Sequence, residues 1–300
     1  MKTWKADVAL LGNTLIWGVT FVLVKGALHD VSPMVYLALR FTLAAAALSL
    51  IYWRKLKRSS LVNGAVAGVF LFLGYLFQTT GLQYTTPSKS AFYTSLSIPM
   101  VPLLAALVYR NAPRWIEVGG IVVATMGMLL LTTEGSRVVW DRGSLLSLLC
   151  AVAFASHIVA VGYFAERSNF ETIAVMQVST AAVLAAISIP LLERARLEHA
   201  RLKPSGTVVV AVVVTALLAT ALAFTVQAWA QQHTTSSRTA LIYTLEPVWA
   251  WITSWALTGE KLSRLGAFGG LLILGGVLLV ELKRPRSPEH PSVRAVSPEV

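Results

Sequence analysis

Charged residues are scarce in this sequence. Asp, Glu, Lys and Arg make up 13% of its 300 residues, whereas soluble proteins contain about 25%. Hydrophobic residues make up 56% and occur in runs of about 20 residues, the length that crosses the roughly 30 Å hydrocarbon core of a bilayer. The composition therefore excludes an ordinary soluble domain and predicts an all-α integral membrane protein.

Several chemical signatures are missing as well. Cys150 is the only cysteine of the sequence, so the chain cannot form an internal disulfide. It lies in an apolar run. The sequence contains no Gly-x-x-x-x-Gly-Lys-Ser/Thr phosphate-binding loop and no Gly-x-Ser-x-Gly nucleophile motif. It also has no His-x-x-x-His pair and no acidic cluster with the spacing of metal ligands. We therefore expect no catalytic residue, no metal site and no cofactor.

The net charge of +11 raises the question of a nucleic-acid partner. The basic residues lie in loops between apolar runs, so we expect the lipid bilayer and no nucleic acid as partner. With the N-terminus inside, 14 Lys and Arg residues face the cytoplasm and 9 face the opposite side. The positive-inside rule then places the chain in the cell inner (plasma) membrane with both termini in the cytoplasm.

The hydropathy pattern predicts ten membrane-spanning helices. Their approximate bounds are 7–28, 33–53, 62–82, 88–109, 115–133, 143–165, 170–190, 206–230, 237–257 and 264–282. The stretch from Glu193 to Ser205 is amphipathic and is expected to lie on the membrane surface.

An internal repeat divides the ten spans into two sets of five. At an offset of 149 residues, Gln78 aligns with Gln227 and Thr85 with Thr234. Because five is an odd number, the second copy enters the membrane inverted, and folds of this kind place a substrate site near the midplane between the halves. The predicted domains are residues 1–135, residues 136–283 and a disordered cytoplasmic tail at 284–300.

Several short motifs resemble one membrane-protein family. They are Trp17-Gly18-Val19-Thr20-Phe21 followed by Lys25, Arg40-Phe41, Gln83-Tyr84-Thr85-Thr86, and Leu245-Glu246-Pro247-Val248-Trp249-Ala250 followed by Gly259-Glu260-Lys261-Leu262. These motifs resemble the EamA-type members of the drug/metabolite transporter superfamily, over residues 7 to 282. The resemblance implies ten helices, two inverted halves and carrier-mediated movement of a small metabolite, often the export of amino acids. One departure is Asn111, which stands where the second copy has Glu260.

Two charged residues within the spans are the main candidates for a functional site. An ionised carboxylate at Glu246, in the middle of span nine, costs about 2.5–3.5 kcal/mol unless it is paired or faces water. Glu246 either binds a substrate ammonium, carries a proton, or is a structural carboxylate that is protonated or paired with Arg40 or Lys25. Arg40 in turn has a substrate carboxylate or Glu246 as possible partners, whereas Lys25 can reach the interface.

The remaining candidates are polar or aromatic residues within the spans. His157 is either a cavity residue that titrates near neutral pH or a hydrogen-bonded packing residue. Gln78 and Gln227 either hydrogen-bond a substrate at the axis or join helices. Aromatic faces suit apolar and cationic ligands, so the candidates also include Trp17, Tyr75, Tyr93, Tyr243 and Trp249.

These features predict a secondary transporter that works by alternating access between the halves. We expect it to export neutral or aromatic amino acids through a central midplane cavity. No acidic residue lies between Val8 and Leu28, where we would expect one in a polycation-type multidrug antiporter. A carrier for another metabolite or drug class, an intramembrane enzyme and a sensor remain alternatives. A monomer is plausible because one chain contains both halves.

Overall fold

The protein is a bundle of helices joined by short connections. The computed structural model describes residues 3–85, 87–110, 112, 114–133, 142–258 and 263–282. Throughout these residues the chain is helical apart from turns and short extended segments. The predicted all-α membrane class is therefore confirmed. The expected disordered tail and the pair Asn111 and Glu260 lie outside the described residues.

The first half follows the predicted spans closely, except that span four is divided in two. Its helices are α1 (Thr3–Ala27), α2 (Pro33–Tyr52), α3 (Leu61–Tyr84), α4 (Pro87–Ser95), α5 (Ser97–Tyr109) and α6 (Trp115–Thr133).

The second half has the same order of elements, with an additional irregularity in span eight. Its helices are α7 (Arg142–Ala165), α8 (Phe170–Arg194), α9 (Gly206–Ala216), a π-helical turn (Leu217–Leu222), α10 (Ala223–Ala230), α11 (Ser236–Tyr243), α12 (Glu246–Thr258) and α13 (Arg264–Leu282). Six of the described helical segments are individually long and apolar enough to cross a membrane: Thr3–Ala27, Pro33–Lys55, Arg58–Tyr84, Arg142–Ala165, Phe170–Arg194 and Gly206–Ala230.

Spans four and nine are interrupted at equivalent positions. Leu96 separates α4 from α5, and Leu245 lies between α11 and α12; the two leucines are 149 residues apart, which is the repeat offset. Their N–H groups donate to the carbonyls three residues earlier, at 3.2 Å in both cases. The unbroken helix predicted for span four is therefore wrong. Irregular backbone within a membrane is tolerated only beside protein or a water-filled cavity, so the breaks point to the interior between the halves.

Contacts between α6 and α13 follow the symmetry of the repeat. A Cβ added to Gly127 would lie 2.6 Å from the Gly269 carbonyl oxygen, and one added to Gly276 would lie 2.6 Å from the Gly120 carbonyl oxygen. Gly120 with Gly269, and Gly127 with Gly276, are repeat equivalents, so the two contacts are reciprocal. Reciprocal contacts are expected where two copies are related by a two-fold axis.

The connection after α8 joins the two halves at one end of the bundle. The stretch from Glu193 to Ser205 forms no helix of its own; after α8 it runs extended alongside the α1–α2 connection. Ser32 N–H donates to the Arg201 carbonyl at 2.9 Å, and Lys203 N–H donates to the Asp30 carbonyl at 2.8 Å. The stretch that was expected on the membrane surface thus also links the backbones of the two halves.

Candidate functional site

A cavity lies between the halves, next to the breaks in spans four and nine. Its volume is about 70 Å³, space for on the order of five water molecules. Helices α1 to α5, α7 and α10 to α12 all contribute to its walls. Eight of the ten residues selected from the sequence line it: Trp17, Arg40, Tyr75, Gln78, His157, Gln227, Tyr243 and Glu246.

Arg40 is the buried cation of the cavity. Its side chain comes from α2, and the residue is 3% exposed. The Nε atom donates to Thr220 Oγ1 at 2.7 Å, and Nη2 donates to Tyr75 Oη at 3.0 Å. The guanidinium carbon lies 4.3 Å from the centre of the Tyr75 ring, within the range of a cation–π interaction. All these partners are neutral, and no carboxylate of the described residues forms an ion pair with Arg40.

The π-helical turn in span eight provides part of this environment. A π-turn shifts the register of backbone bonds and leaves carbonyl groups open to side chains, and such turns are frequent at functional sites. The Ala219 carbonyl accepts from Trp17 Nε1 at 2.9 Å and from Arg40 Nη2 at 3.4 Å. The turn therefore holds two cavity residues from the first half of the chain.

Glu246 is the anionic group of the cavity. It is the first residue of α12 and is only partly buried, because its side chain faces the cavity. The positive end of the helix dipole favours a carboxylate at this position. Within the described residues Glu246 forms no ion pair with Arg40 or with Lys25.

Lys25 has a structural position at the end of α3. Its Nζ atom donates to the Leu82 carbonyl at 2.6 Å and to the Thr85 carbonyl at 3.0 Å. These carbonyls lack partners within their own helix because the helix ends there. Lys25 thus caps α3 and does not pair with Glu246, whose side chain lines the cavity.

Aromatic rings form part of the cavity wall. Trp17 packs edge-on against Tyr243, with ring centres 4.9 Å apart, and Tyr75 packs in the same way against Phe154 at 5.2 Å. Such edge-to-face pairs are favourable and hold rings in fixed orientations. The hydroxyl of the buried Tyr243 has the side chain of Asn13 as its polar neighbour.

Polar groups of the second half are bonded to one another. His157 Nε2 lies 2.8 Å from Gln177 Oε1, so this histidine is a hydrogen-bonded packing residue on the cavity wall. Gln227 Nε2 donates to Gln231 Oε1 at 3.0 Å, whereas Gln78 Nε2 donates to Thr94 Oγ1 at 3.3 Å. The repeat-related glutamines therefore share a position but not a partner.

Two candidates lie outside the cavity lining. Trp249 packs on α1, where its Nε1 donates to Thr14 Oγ1 at 3.1 Å and its Cβ meets Gly18. Tyr93 is buried in the hydrophobic cluster next to α7.

The sequence interpretation also missed part of the lining. Three lining residues that were not predicted are repeat equivalents of predicted candidates: Phe224 corresponds to Tyr75, Thr94 to Tyr243, and Ser97 to Glu246. The repeat alignment was thus the signal that could have found them. The other missed residues are Thr20, Phe21, Val24, Thr79, Leu82, Ser95, Ile98, Phe154 and Ile158.

The site combines one cation, one carboxylate and an aromatic wall. Among the described residues, no group of three His, Cys, Asp or Glu side chains is placed to hold a metal ion. The arrangement suits reversible binding of a small ligand that carries both charges. Fold and site together define a multi-pass helical membrane protein with a charged cavity between two halves.

Comparisons with known proteins identify the family. The model of the EamA-like transporter family matches residues 4–133 and again residues 141–282. An uncharacterised transporter of Archaeoglobus fulgidus is 33% identical over 94% of this chain and 88% of its own length. The transporter YyaM of Bacillus subtilis, also uncharacterised, is 34% identical over 45% of this chain and 47% of its own length. The chain belongs to the EamA-like transporter family.

A solved structure supports the same fold. It superposes with a TM-score of 0.75 at 21% sequence identity and covers 93% of this chain and 96% of its own. At that level of identity the similarity concerns the fold alone. Membership of the family makes the protein a transporter in a membrane and confirms the resemblance seen in the sequence motifs.

Proposed function

We propose that the protein is a secondary transporter for small zwitterionic metabolites, and specifically an exporter of amino acids. The observation that carries this proposal is the pair Arg40 and Glu246. These residues have opposite charges, line the same cavity and form no ion pair with any described residue.

An anionic ligand would stabilise the unpaired guanidinium of Arg40. An unpaired cation in the membrane interior is costly, and such residues mark substrate or ion pathways. A carboxylate suits a guanidinium because it accepts more than one N–H bond in a plane. The α-carboxylate of an amino acid meets this requirement.

The carboxylate of Glu246 calls for a cation in the same cavity. A substrate ammonium would be bound on one side by Glu246 and on another by the aromatic rings of Trp17 and Tyr243, whose faces attract cations. A zwitterion satisfies both protein charges at once and adds no net charge to the membrane interior. A substrate with a single charge would leave one of the two residues without a partner.

The volume of the cavity limits the size of the substrate that fits in this conformation. A volume of about 70 Å³ accommodates a compact zwitterion in this conformation, and an aromatic side chain requires the rings around the cavity to move. Alternating access supplies such movement, because the halves rock about the central site. We propose a monomer in the cell inner membrane, with domains 1–135 and 136–283 as the rocking halves and both termini in the cytoplasm.

Flux measurements with purified protein in liposomes test the proposal. We expect accelerated flux of labelled neutral amino acids, compared with sugars, nucleosides and quaternary amines as competing substrate classes. Absence of flux for every amino acid would refute the substrate class. Faster flux of one of the other classes would replace it.

Variants then test the two charges. Arg40→Gln and Glu246→Gln should each reduce amino acid flux by at least about ten-fold, because each leaves one substrate charge unpaired. Lys55→Gln and Glu171→Gln are matched controls, since these charges lie outside the cavity lining. Unchanged transport by Glu246→Gln across a pH series would remove Glu246 from the mechanism.

A further inference from the structure

The hydrogen-bond donors of Arg40 are unequally engaged. A guanidinium has five N–H donors in a rigid planar fork. The Nε donor goes to Thr220 at 2.7 Å, and Nη2 goes to Tyr75 at 3.0 Å. The hydroxyl of Tyr36 is a further polar neighbour of the guanidinium, and the direct bonds that Arg40 donates to described residues come from Nε and Nη2, which leaves Nη1 on the side of the cavity. The fork is therefore held at one edge and open at another.

Thr220 is restricted to the role of acceptor toward Arg40. It is fully buried, and its hydroxyl proton is donated to the Thr215 carbonyl at 2.8 Å, five residues earlier. A hydroxyl has one proton to donate and two lone pairs to accept with. Because the proton is used within span eight, the lone pairs remain for Arg40 Nε, which can only donate.

The π-helical turn makes this geometry possible. Thr220 lies inside the turn from Leu217 to Leu222, where backbone bonds connect residues five apart. In a regular helix a threonine hydroxyl bonds the carbonyl three or four residues earlier, as Thr225 does with the Ala221 carbonyl at 2.7 Å. The irregular turn thus gives Thr220 a different orientation from that of its neighbour.

We infer that Thr220 is a positioning residue that fixes the Arg40 guanidinium with its Nη1 edge free, and that it thereby sets the preference of the cavity for substrates with a carboxylate. This inference rests on the proposed function, because it assigns Arg40 to the carboxylate of the substrate. Thr220 acts through Arg40 and needs no contact with the substrate.

The test compares amino acids with their carboxamides, in which an uncharged amide replaces the carboxylate and the ammonium group is kept. Flux into liposomes is measured for L-alanine, L-leucine and L-phenylalanine, each against its own amide. Stabilisation of the detergent-solubilised protein by the same compounds provides a second readout that does not require transport. The quantity compared is the acid-to-amide ratio, that is, the flux or the stabilisation obtained with the amino acid divided by that obtained with its amide. A general loss of folded protein does not change this ratio.

Thr220→Val keeps the size of the side chain and removes the acceptor. We expect it to lower the acid-to-amide ratio by about ten-fold, the scale of one hydrogen bond to a charged group. Thr220→Ser should restore the ratio because it restores the hydroxyl. Thr225→Val is the matched control from the next turn and should leave the ratio unchanged. If Thr220→Val does not fold, Thr220→Ala replaces it, and we expect the same decrease in the acid-to-amide ratio.

Different outcomes overturn different statements. One outcome is that Thr220→Val keeps the acid-to-amide ratio of the wild type while Arg40→Gln loses the preference for the acids. That outcome would refute the positioning role of Thr220 and leave the proposed function unchanged. A wild-type protein that shows no preference for the acids in either readout would refute both.

Discussion

The ion pair between Asp7 and Arg238 offers the most direct test of how the halves are held together. Asp7 belongs to α1 and Arg238 to α11, at the end of the bundle opposite the loop link between Asp30 and Lys203. The guanidinium binds the carboxylate with two bonds, Nε to Oδ1 at 2.9 Å and Nη2 to Oδ2 at 3.0 Å. A pair of this kind must break if this end of the bundle opens during transport.

The structure allows the strength of the pair to be compared with a weaker one. The side chains of Arg238 and Asp7 are 14% and 13% exposed, so solvent screens their interaction only in part. We expect a coupling free energy of about 1–2 kcal/mol, between that of exposed pairs and that of buried charged hydrogen bonds. Lys55 and Glu171 are joined by one contact of 3.6 Å, and Lys55 is 61% exposed, so their coupling should stay below about 0.5 kcal/mol.

A double-mutant cycle measures both couplings. Equilibrium unfolding in mixed micelles is followed for the wild type, Asp7→Asn, Arg238→Gln and the double variant, with the equivalent cycle for Lys55→Gln and Glu171→Gln as control. A coupling for Asp7 and Arg238 no larger than the control value would refute the reasoning. If the pair also biases the transport cycle, a coupling of about 1.4 kcal/mol changes the ratio of the two conformations about ten-fold.

Two further predictions concern packing and capping. Gly68→Ala should destabilise the protein by about 1–3 kcal/mol, because the new Cβ would lie 2.6 Å from the Gln177 carbonyl oxygen; Gly12→Ala, which meets nothing within 4 Å, should be neutral or slightly stabilising. Thermal unfolding checks both, and equal effects would contradict the close packing of α3 on α8. Lys25→Met should lower stability by about 1 kcal/mol because two carbonyls at the end of α3 lose their donor. Amino acid flux per folded molecule should persist in that variant, and its loss would place Lys25 in the transport mechanism.

The sequence was most informative where burial has a high cost. The sequence indicated Arg40 and Glu246 because a charged side chain inside a span is costly and marks a functional site. Both residues line the cavity. The repeat added Gln78 and Gln227, which occupy the same place in the two halves.

Orientation about a helix axis was harder to predict. Trp249 lies only three residues after Glu246 in the same helix, yet it packs on α1 at Gly18, because residues three apart in a helix differ by about 60° around the axis and about 4.5 Å along it. The π-helical turn had no marker at all, since the segment from Leu217 to Leu222 contains neither proline nor glycine. Such a turn depends on the side chains that bind its open carbonyls, and these come from α1 and α2.

The differences between the two copies have a common electrostatic cause. Arg40 and Gln177 are each the seventh residue after the start of their helix, α2 at Pro33 and α8 at Phe170, so they occupy the same place in corresponding helices at an offset of 137 residues, ahead of the longer connection after α8. A strictly symmetric pair of halves would place two guanidiniums and two carboxylates around one small cavity, where like charges repel in a medium of low dielectric constant. A neutral amide at Gln177 and a hydroxyl at Ser97, the repeat equivalent of Glu246, leave a single charge of each sign. The helix packing can therefore keep the symmetry that the proposed rocking requires, while the cavity keeps the asymmetry that the proposed zwitterionic substrate requires.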